Sequence, residues 1–177
     1  VVGGYLNFFV SGAEVARILL PEVARGGRGR GQETGRKILV ESPSPNTNKP
    51  LHLGHVRNLL LGNALENVLN FAGDRAVRVE VVNDRGIHIC KSMLAYKIWG
   101  ENAEPDQKSD HFVGKFYVKF AQEAEKNPDL ENQAQEMLRA WEAGDAEVRA
   151  LWAKMNARAI VGFEQSYEIF GTKIEDR

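Results

Sequence analysis

Residues 42 to 58 read SPSPNTNKPLHLGHVRN, and they constrain the fold more than any other stretch of the chain. Three prolines, three asparagines, two histidines and one glycine fall within these 17 positions. Proline fixes φ and removes a donor, and asparagine favours turns, so neither a strand nor a helix can run through the segment. On one side lies KILVES (37 to 42), a short apolar run of buried-strand type. On the other, Val56, Leu59, Leu60, Leu61, Ala64, Leu65, Val68, Leu69 and Ala72 form a broad helical stripe closed by Gly73. The segment must therefore join the carboxyl end of a strand to the amino end of a helix.

The pattern then repeats. AVRVEVV (76 to 82) reads as a second strand, NDRG as a turn, and IHICKSMLAYKIWG as a helix ending at Gly100. Strand, helix, strand, helix is the order of an α/β fold with parallel strands and right-handed crossovers, the kind of sheet that binds nucleotides. After a polar loop at 101 to 110, helical spacing predicts three helices, near 112 to 126, 129 to 143 and 145 to 170. They read as a mainly helical insertion, with TKIEDR as the start of a returning strand. Ahead of this core, GYLNFFV (4 to 10) has the composition of a strand, and SGAE from Ser11 that of a capping box opening a helix to about Ala24. The Gly- and Arg-rich run 25 to 37 reads as a flexible, solvated linker, with a basic loop facing a nucleic acid as the alternative.

A net charge of −1 argues neither for nor against a nucleic-acid partner. One cysteine, Cys90, excludes an internal disulfide and points to a reducing, cytoplasmic setting. No apolar run approaches the roughly 18 residues of a membrane span, so no membrane partner is expected. The first residue is Val1, and a fragment of a longer chain is expected.

The special segment gathers chemistry where open α/β sheets bind ligands. A helix start offers unpaired N–H groups and a positive dipole end, which suit phosphate. His52 and His55 are three residues apart and share a face of the first turn. Gly54 removes a side chain between them, so a flat base can rest on the backbone. Lys49 adds a positive charge. Such converging donors suit phosphoryl or nucleotidyl transfer, where charge spreads onto phosphoryl oxygens.

The HLGH string within SPNTNKPLHLGHVRN, with Glu41 ahead of it, resembles the HIGH signature of class I aminoacyl-tRNA synthetases, and the wider string is similar to arginyl-tRNA synthetases. VNDRGIHICKSMLA and SDHFVGKFYVKF fit a bacterial branch of that family, and the resemblance extends over residues 4 to 177. It implies the first half of a parallel Rossmann-like (HUP-type) fold. Residues 1–33 would be the end of an N-terminal tRNA-contacting domain with its linker, 34–100 the first half of the catalytic domain, and 101–177 a helical connective insertion. It implies ATP-dependent activation of L-arginine and transfer to tRNA(Arg), with Mg2+ accompanying ATP, no permanent cofactor, and a monomeric full-length enzyme.

By the same resemblance, His52 and His55 would stabilise the α-phosphate transition state and Gly54 would underlie the adenine. Ser44 and Asn46 would hold the carboxylate and amino region of arginine, alongside His55, and Glu41 its amino end. Lys49 would replace the KMSKS lysine that many members lack. Asp84 and Asn58 are further cleft candidates, although Asp84 is most simply a turn residue.

Other readings stay open at this point. His52 and His55 could share a metal ion, but no third ligand is nearby in sequence. They could also be incidental cap or surface residues. His88 and His111 read as structural, Cys90 as core, and the aromatic residues beyond 111 as helix packing. At the level of function, the alternatives are another class I synthetase or nucleotidyltransferase, or a non-catalytic tRNA-binding fragment.

Overall fold

Strands β1 (Lys37–Glu41) and β2 (Arg75–Val79) pair in parallel, with Lys37 opposite Arg75 and Glu41 opposite Val79. The structure is a computed structural model that describes residues 3–4, 6–26 and 29–176. Parallel neighbours need a crossover, and the crossover here is helix α2 (Leu53–Phe71). Two imidazoles open it, and it ends at Ala72 and Gly73, the latter at φ +98°. A third strand position follows much later. Asp176 bridges Val79 in parallel, and Glu80 N–H donates to the Asp176 carbonyl at 3.1 Å. The expected return of the TKIEDR segment to the sheet is thus observed at Asp176; Arg177 lies outside the described residues.

The remaining helices are α1 (Gly12–Ala24), α3 (Ile87–Trp99), α4 (Ser109–Ala124), α5 (Asp129–Ala143) and α6 (Ala146–Ile169). The three helices expected beyond residue 101 are all present. A two-residue turn joins α5 to α6. Gly144 takes the left-handed φ of +89° that a side chain would resist, and Asp145 caps α6 by accepting the Val148 N–H at 2.9 Å. The core sits among α3, α4, α5 and α6, with Leu59 of α2 at its margin. Phe112, Phe116, Phe120 and Phe163 are buried in it, as the helix-packing reading of the aromatics requires. Cys90 is buried there too, and burial, with a smaller contribution from Glu142, pushes its thiol up to about 11. α3 shares this core with the three helices on the far side of residue 100.

Two expectations for the N-terminal part fail. Residues 6–10 are irregular and exposed rather than a strand, and Phe9 is 96% accessible. Aromatic and β-branched composition cannot make a strand without a neighbour to take its backbone groups; Tyr5 lies outside the described residues. The capping box at Ser11 is half formed. Ser11 accepts the Glu14 N–H, but the Glu14 carboxylate binds Arg17 at 2.9 Å.

The linker is a docked segment rather than a free tether over its described part, which leaves out Gly27 and Arg28. Gly31 N–H donates to the Phe71 carbonyl at 2.8 Å and Thr34 N–H to the Gly73 carbonyl at 2.9 Å. A Cβ on Gly31 would lie 1.9 Å from the Ala72 oxygen, so only glycine allows this approach. Arg36 grips Asp74 with both Nε and Nη2, at 2.9 and 2.8 Å, and the Thr34 hydroxyl donates to the same carboxylate. These hydrogen bonds, Arg36 first, hold the Asp74 carboxyl below its ordinary value. Among the described residues, no helix is long and apolar enough to cross a membrane.

Candidate active site

The site is built where β1 and β2 end. Beyond Glu41 the chain passes through a cis Ser42–Pro43 bond and places Ser44 at a left-handed φ of +52°. In that conformation the Ser44 hydroxyl donates to Glu41 Oε1 at 2.8 Å and accepts the Val81 N–H at 3.0 Å. The two post-strand loops then run on side by side. Asn46 and Asn83 form a parallel bridge, and Thr47 N–H donates to the Asn83 carbonyl at 3.2 Å. The ladder of the sheet thus continues past the strands and fixes Glu41, Ser44 and Asn46 along one line.

The Ser42 hydroxyl, buried, donates to the Asn58 carbonyl at 2.7 Å and ties the loop to α2. Glu41, Ser44, Asn58 and Leu65 line a cleft of about 330 Å³ between the end of β1 and the flank of α2. The sequence candidates therefore fall into two groups. Glu41, Ser44 and Asn58 share the cleft, whereas His52, Gly54, His55, Lys49 and Asn46 are not part of its lining.

Of the second group, Asn46 stays on the bridge to Asn83, while His52, Gly54 and His55 gather at the start of α2. His52 is the N-cap residue, and its Nδ1 accepts the Gly54 N–H at 3.1 Å. His55 Nδ1 accepts the His52 N–H at 3.2 Å. This is a reciprocal cap, with imidazoles standing where a hydroxyl and a carboxylate usually stand. The ring centroids are 3.9 Å apart. Gly54 has a steric duty here, since a Cβ at that position would come within 2.9 Å of the His52 ring. Each Nδ1 accepts, so each neutral imidazole carries its proton on Nε2. The pair thus caps the helix with one edge and offers two N–H donors from the other. His55 is held below its ordinary value of 6.5 by burial first, then by the nearby charges of His52 and Lys49. Lys49 has no ion-pair partner among the described residues.

Asp84 follows the bridging Asn83, and its carbonyl accepts the Trp152 Nε1–H of α6 at 2.7 Å. His88 pairs with the Tyr117 hydroxyl at 3.1 Å, and His111 is exposed on α4. No group of three or more His, Cys, Asp or Glu residues is placed to hold a metal ion among the described residues.

Sequence reasoning missed several residues that shape the site. Thr47 and Asn48 are buried at the foot of the loop, Ser42 locks it to α2, and Asp110 holds it from the helical side, while Trp152 holds the neighbouring loop at Asp84. The two asparagines within residues 46 to 48, Asn46 and Asn48, are a local signal for the first two. Asp110 and Trp152 act across 59 and 68 residues of sequence, where periodicity carries no signal.

Comparison with known proteins gives a consistent answer. Residues 14–175 match the family model of tRNA synthetases class I (R), catalytic domain. The arginine–tRNA ligase of Bacteroides thetaiotaomicron is 44% identical over 193 residues, covering 97% of this chain and 32% of that protein. That of Treponema denticola is 42% identical, with 98% and 31% covered. Among solved structures, the Thermus thermophilus arginyl-tRNA synthetase superposes with a TM-score of 0.74 at 28% identity, over 98% of this chain and 27% of that one. The chain spans about a third of the length of the curated relatives it matches.

Proposed function

The chain belongs to the arginine-type family of class I tRNA synthetases, within the catalytic domain, and from that premise we propose that it carries the ATP- and arginine-activating part of an arginine–tRNA ligase. The reaction condenses the carboxylate of L-arginine with the α-phosphate of ATP, releasing pyrophosphate, and then passes the arginyl group from the adenylate to tRNA(Arg), releasing AMP. In the first step negative charge grows on the phosphoryl oxygens. The Nε2–H groups of His52 and His55 donate to that charge, and Lys49 adds its ammonium. These donors are fixed before substrate arrives, because the opposite edge of each ring is already bound to the backbone. Donors that need no reorganisation lower a barrier most.

Glu41 and Ser44 serve the amino end of arginine, with Asn46 beside them on the continued ladder. Gly54 leaves room for the adenine, while Asn58 borders the cleft and Asp84 stands on the neighbouring loop, outside the cleft lining. ATP enters with Mg2+. We assign the enzyme to the cytoplasm as a monomer.

The observation that carries the reading is the reciprocal cap of His52 and His55, which turns both Nδ1 atoms inward and leaves both Nε2–H groups as donors. The test is arginine-dependent ATP–pyrophosphate exchange by a full-length ligase carrying this sequence, screened against the other amino acids. Exchange driven equally by other amino acids, or by none, removes the assignment.

A further inference from the structure

The histidine-bearing loop does not stand on the sheet alone. Its last residues before His52 rest on the helical part of the molecule. Asp110, in the first turn of α4, is fully buried. One of its oxygens, Oδ2, accepts the N–H of Leu51 at 3.4 Å. The other accepts the Lys108 ammonium at 2.6 Å and the His111 N–H at 3.0 Å. Lys108 also donates to the Gly162 carbonyl on α6, so the carboxylate is held from two helices.

Two glycines make this seat possible. A Cβ on Gly162 would come within 2.3 Å of the Asp110 nitrogen, and a Cβ on Gly114 would come within 2.5 Å of Pro50 Cδ. Pro50 thus lies against the backbone of α4, and Leu51 packs on the helical core. Leu51 and Pro50 separate His52 from Lys49, so the seat fixes the backbone on which both groups are carried.

We propose that Asp110 is a positioning residue for the His52–His55 pair, acting through the Leu51 amide. The proposal rests on the ligase reading above for its kinetic consequence, but not for its structural one. With Oδ1 taken up by Lys108 and the His111 N–H, the buried Oδ2 is satisfied by the Leu51 N–H, so the carboxylate and the loop need each other. That contact sets where the loop turns into α2. Loss of that contact frees Leu51 N–H, lets the loop move off α4, and opens the reciprocal cap. A displacement of about 1 Å at a reacting group is enough to cost of the order of 10²-fold in rate.

The test uses two readouts. In the 177-residue chain, 15N spectra of the imidazoles report which ring nitrogen bears the proton. The wild-type chain is expected to hold His52 and His55 in the Nε2–H form, and Asp110→Ala to return both to the mixed tautomers of a free ring. In a full-length ligase carrying the sequence, Asp110→Ala is expected to lower kcat for arginine-dependent exchange by roughly 10- to 100-fold, with KM for ATP and arginine within about twofold. Asp110→Asn keeps the bulk and one carbonyl oxygen; it should lose less, and it serves where the alanine variant fails to fold. Leu130→Ala, a cavity in α5 that makes none of the loop contacts, is the control. It should lower stability while leaving kcat and the imidazole signals in place.

Unmoved imidazole signals together with an unchanged kcat in Asp110→Asn and Asp110→Ala overturn the proposal. So does a kcat loss that Leu130→Ala reproduces at equal loss of stability. If the unmutated ligase shows no arginine-dependent exchange, the ligase reading falls instead, and the imidazole signals alone decide the role of Asp110.

Discussion

The helical part and the sheet part of this molecule are finished to different degrees. Helices α3 to α6 close around a continuous core in which Met93, Ala95, Phe112, Ala134 and Ala159 are wholly inaccessible. Beside them, α2 packs on the two strands β1 and β2 among the described residues, and reaches the helical core through Leu59. Of its apolar stripe Leu59 is buried, while Leu60, Leu61, Leu65, Val68 and Phe71 are exposed, Val68 at 63%. Leu39 of β1 is 60% accessible, and β1 has a paired edge only toward β2 among the described residues. The proposed chemistry nevertheless lies at the less finished part. The lesson is a division of labour: the bundle supplies rigidity, and the sheet end supplies backbone groups and open space for substrates. Asp110, Trp152 and Tyr167 are the points where the rigid part holds the open one, on Leu51, Asp84 and Glu80 respectively.

The contrast can be broken by experiment, and its strongest test is in the bundle. Phe112→Ala should destabilise the chain by about 3–5 kcal/mol, the usual result of emptying a buried aromatic site. Urea denaturation measures this, and a loss below about 1 kcal/mol would mean the bundle is not the stabilising part. At the sheet end the large effect should be kinetic. His55→Ala, or His52→Ala, should slow adenylate formation about 10²-fold or more, near 2.7 kcal/mol of barrier, with ATP affinity changed far less. Single-turnover kinetics with the full-length ligase separates the two quantities, and an intact rate would detach the reciprocal cap from catalysis.

Glu41→Gln should raise KM for arginine about tenfold and leave KM for ATP nearly unchanged, since a carboxylate facing a cation contributes roughly 1.5–3 kcal/mol. Equal changes in both constants would mark Glu41 as a loop-folding residue held by Ser44.

A smaller effect concerns pH. The folded chain holds His55 below 6.5, so the unfolded chain binds that proton more readily. The contribution is fully present above the unfolded value and is lost as pH falls through the folded one. Denaturation midpoints should therefore drop on acidification below about pH 6.5, and His55→Gln should flatten that part of the profile. A profile identical in the variant would leave the acid sensitivity to other groups. The smallest effect is expected on the open face, where Leu61→Ser should change stability by no more than about 0.5 kcal/mol. A larger loss in the same urea assay would mean that the stripe is covered after all.

Much of this organisation was legible in the sequence because it is local. The proline- and asparagine-rich turn, the 3.6-residue period of α2 and Gly73 at its end all act within a few residues. The strand expected at residues 4 to 10 was misread for the complementary reason: strand composition needs a partner strand, and composition does not report one. The docking of the linker depends on Gly31 meeting Ala72, and the seat of the loop on Asp110 meeting Leu51. At the site, two imidazoles sharing a face were readable from their spacing. Their exchange of backbone hydrogen bonds was not, because it depends on ring orientation that spacing leaves free.

The bridge between Val79 and Asp176 has one further consequence. The polypeptide leaves the sheet at the end of β2 and comes back beside the point it left, so α3 to α6 form a detour with a common exit and entrance. A detour of this kind is modular. Closing a flexible loop costs only about 0.6 kcal/mol more for each doubling of its length. Extra turns or whole helices added at the α4–α5 or α5–α6 connections would leave the register of β1 and β2 as it is. The detour is thus the part of this chain most free to vary in size over evolution, and the natural place for an engineer to graft a tag, a sensor or a second recognition surface.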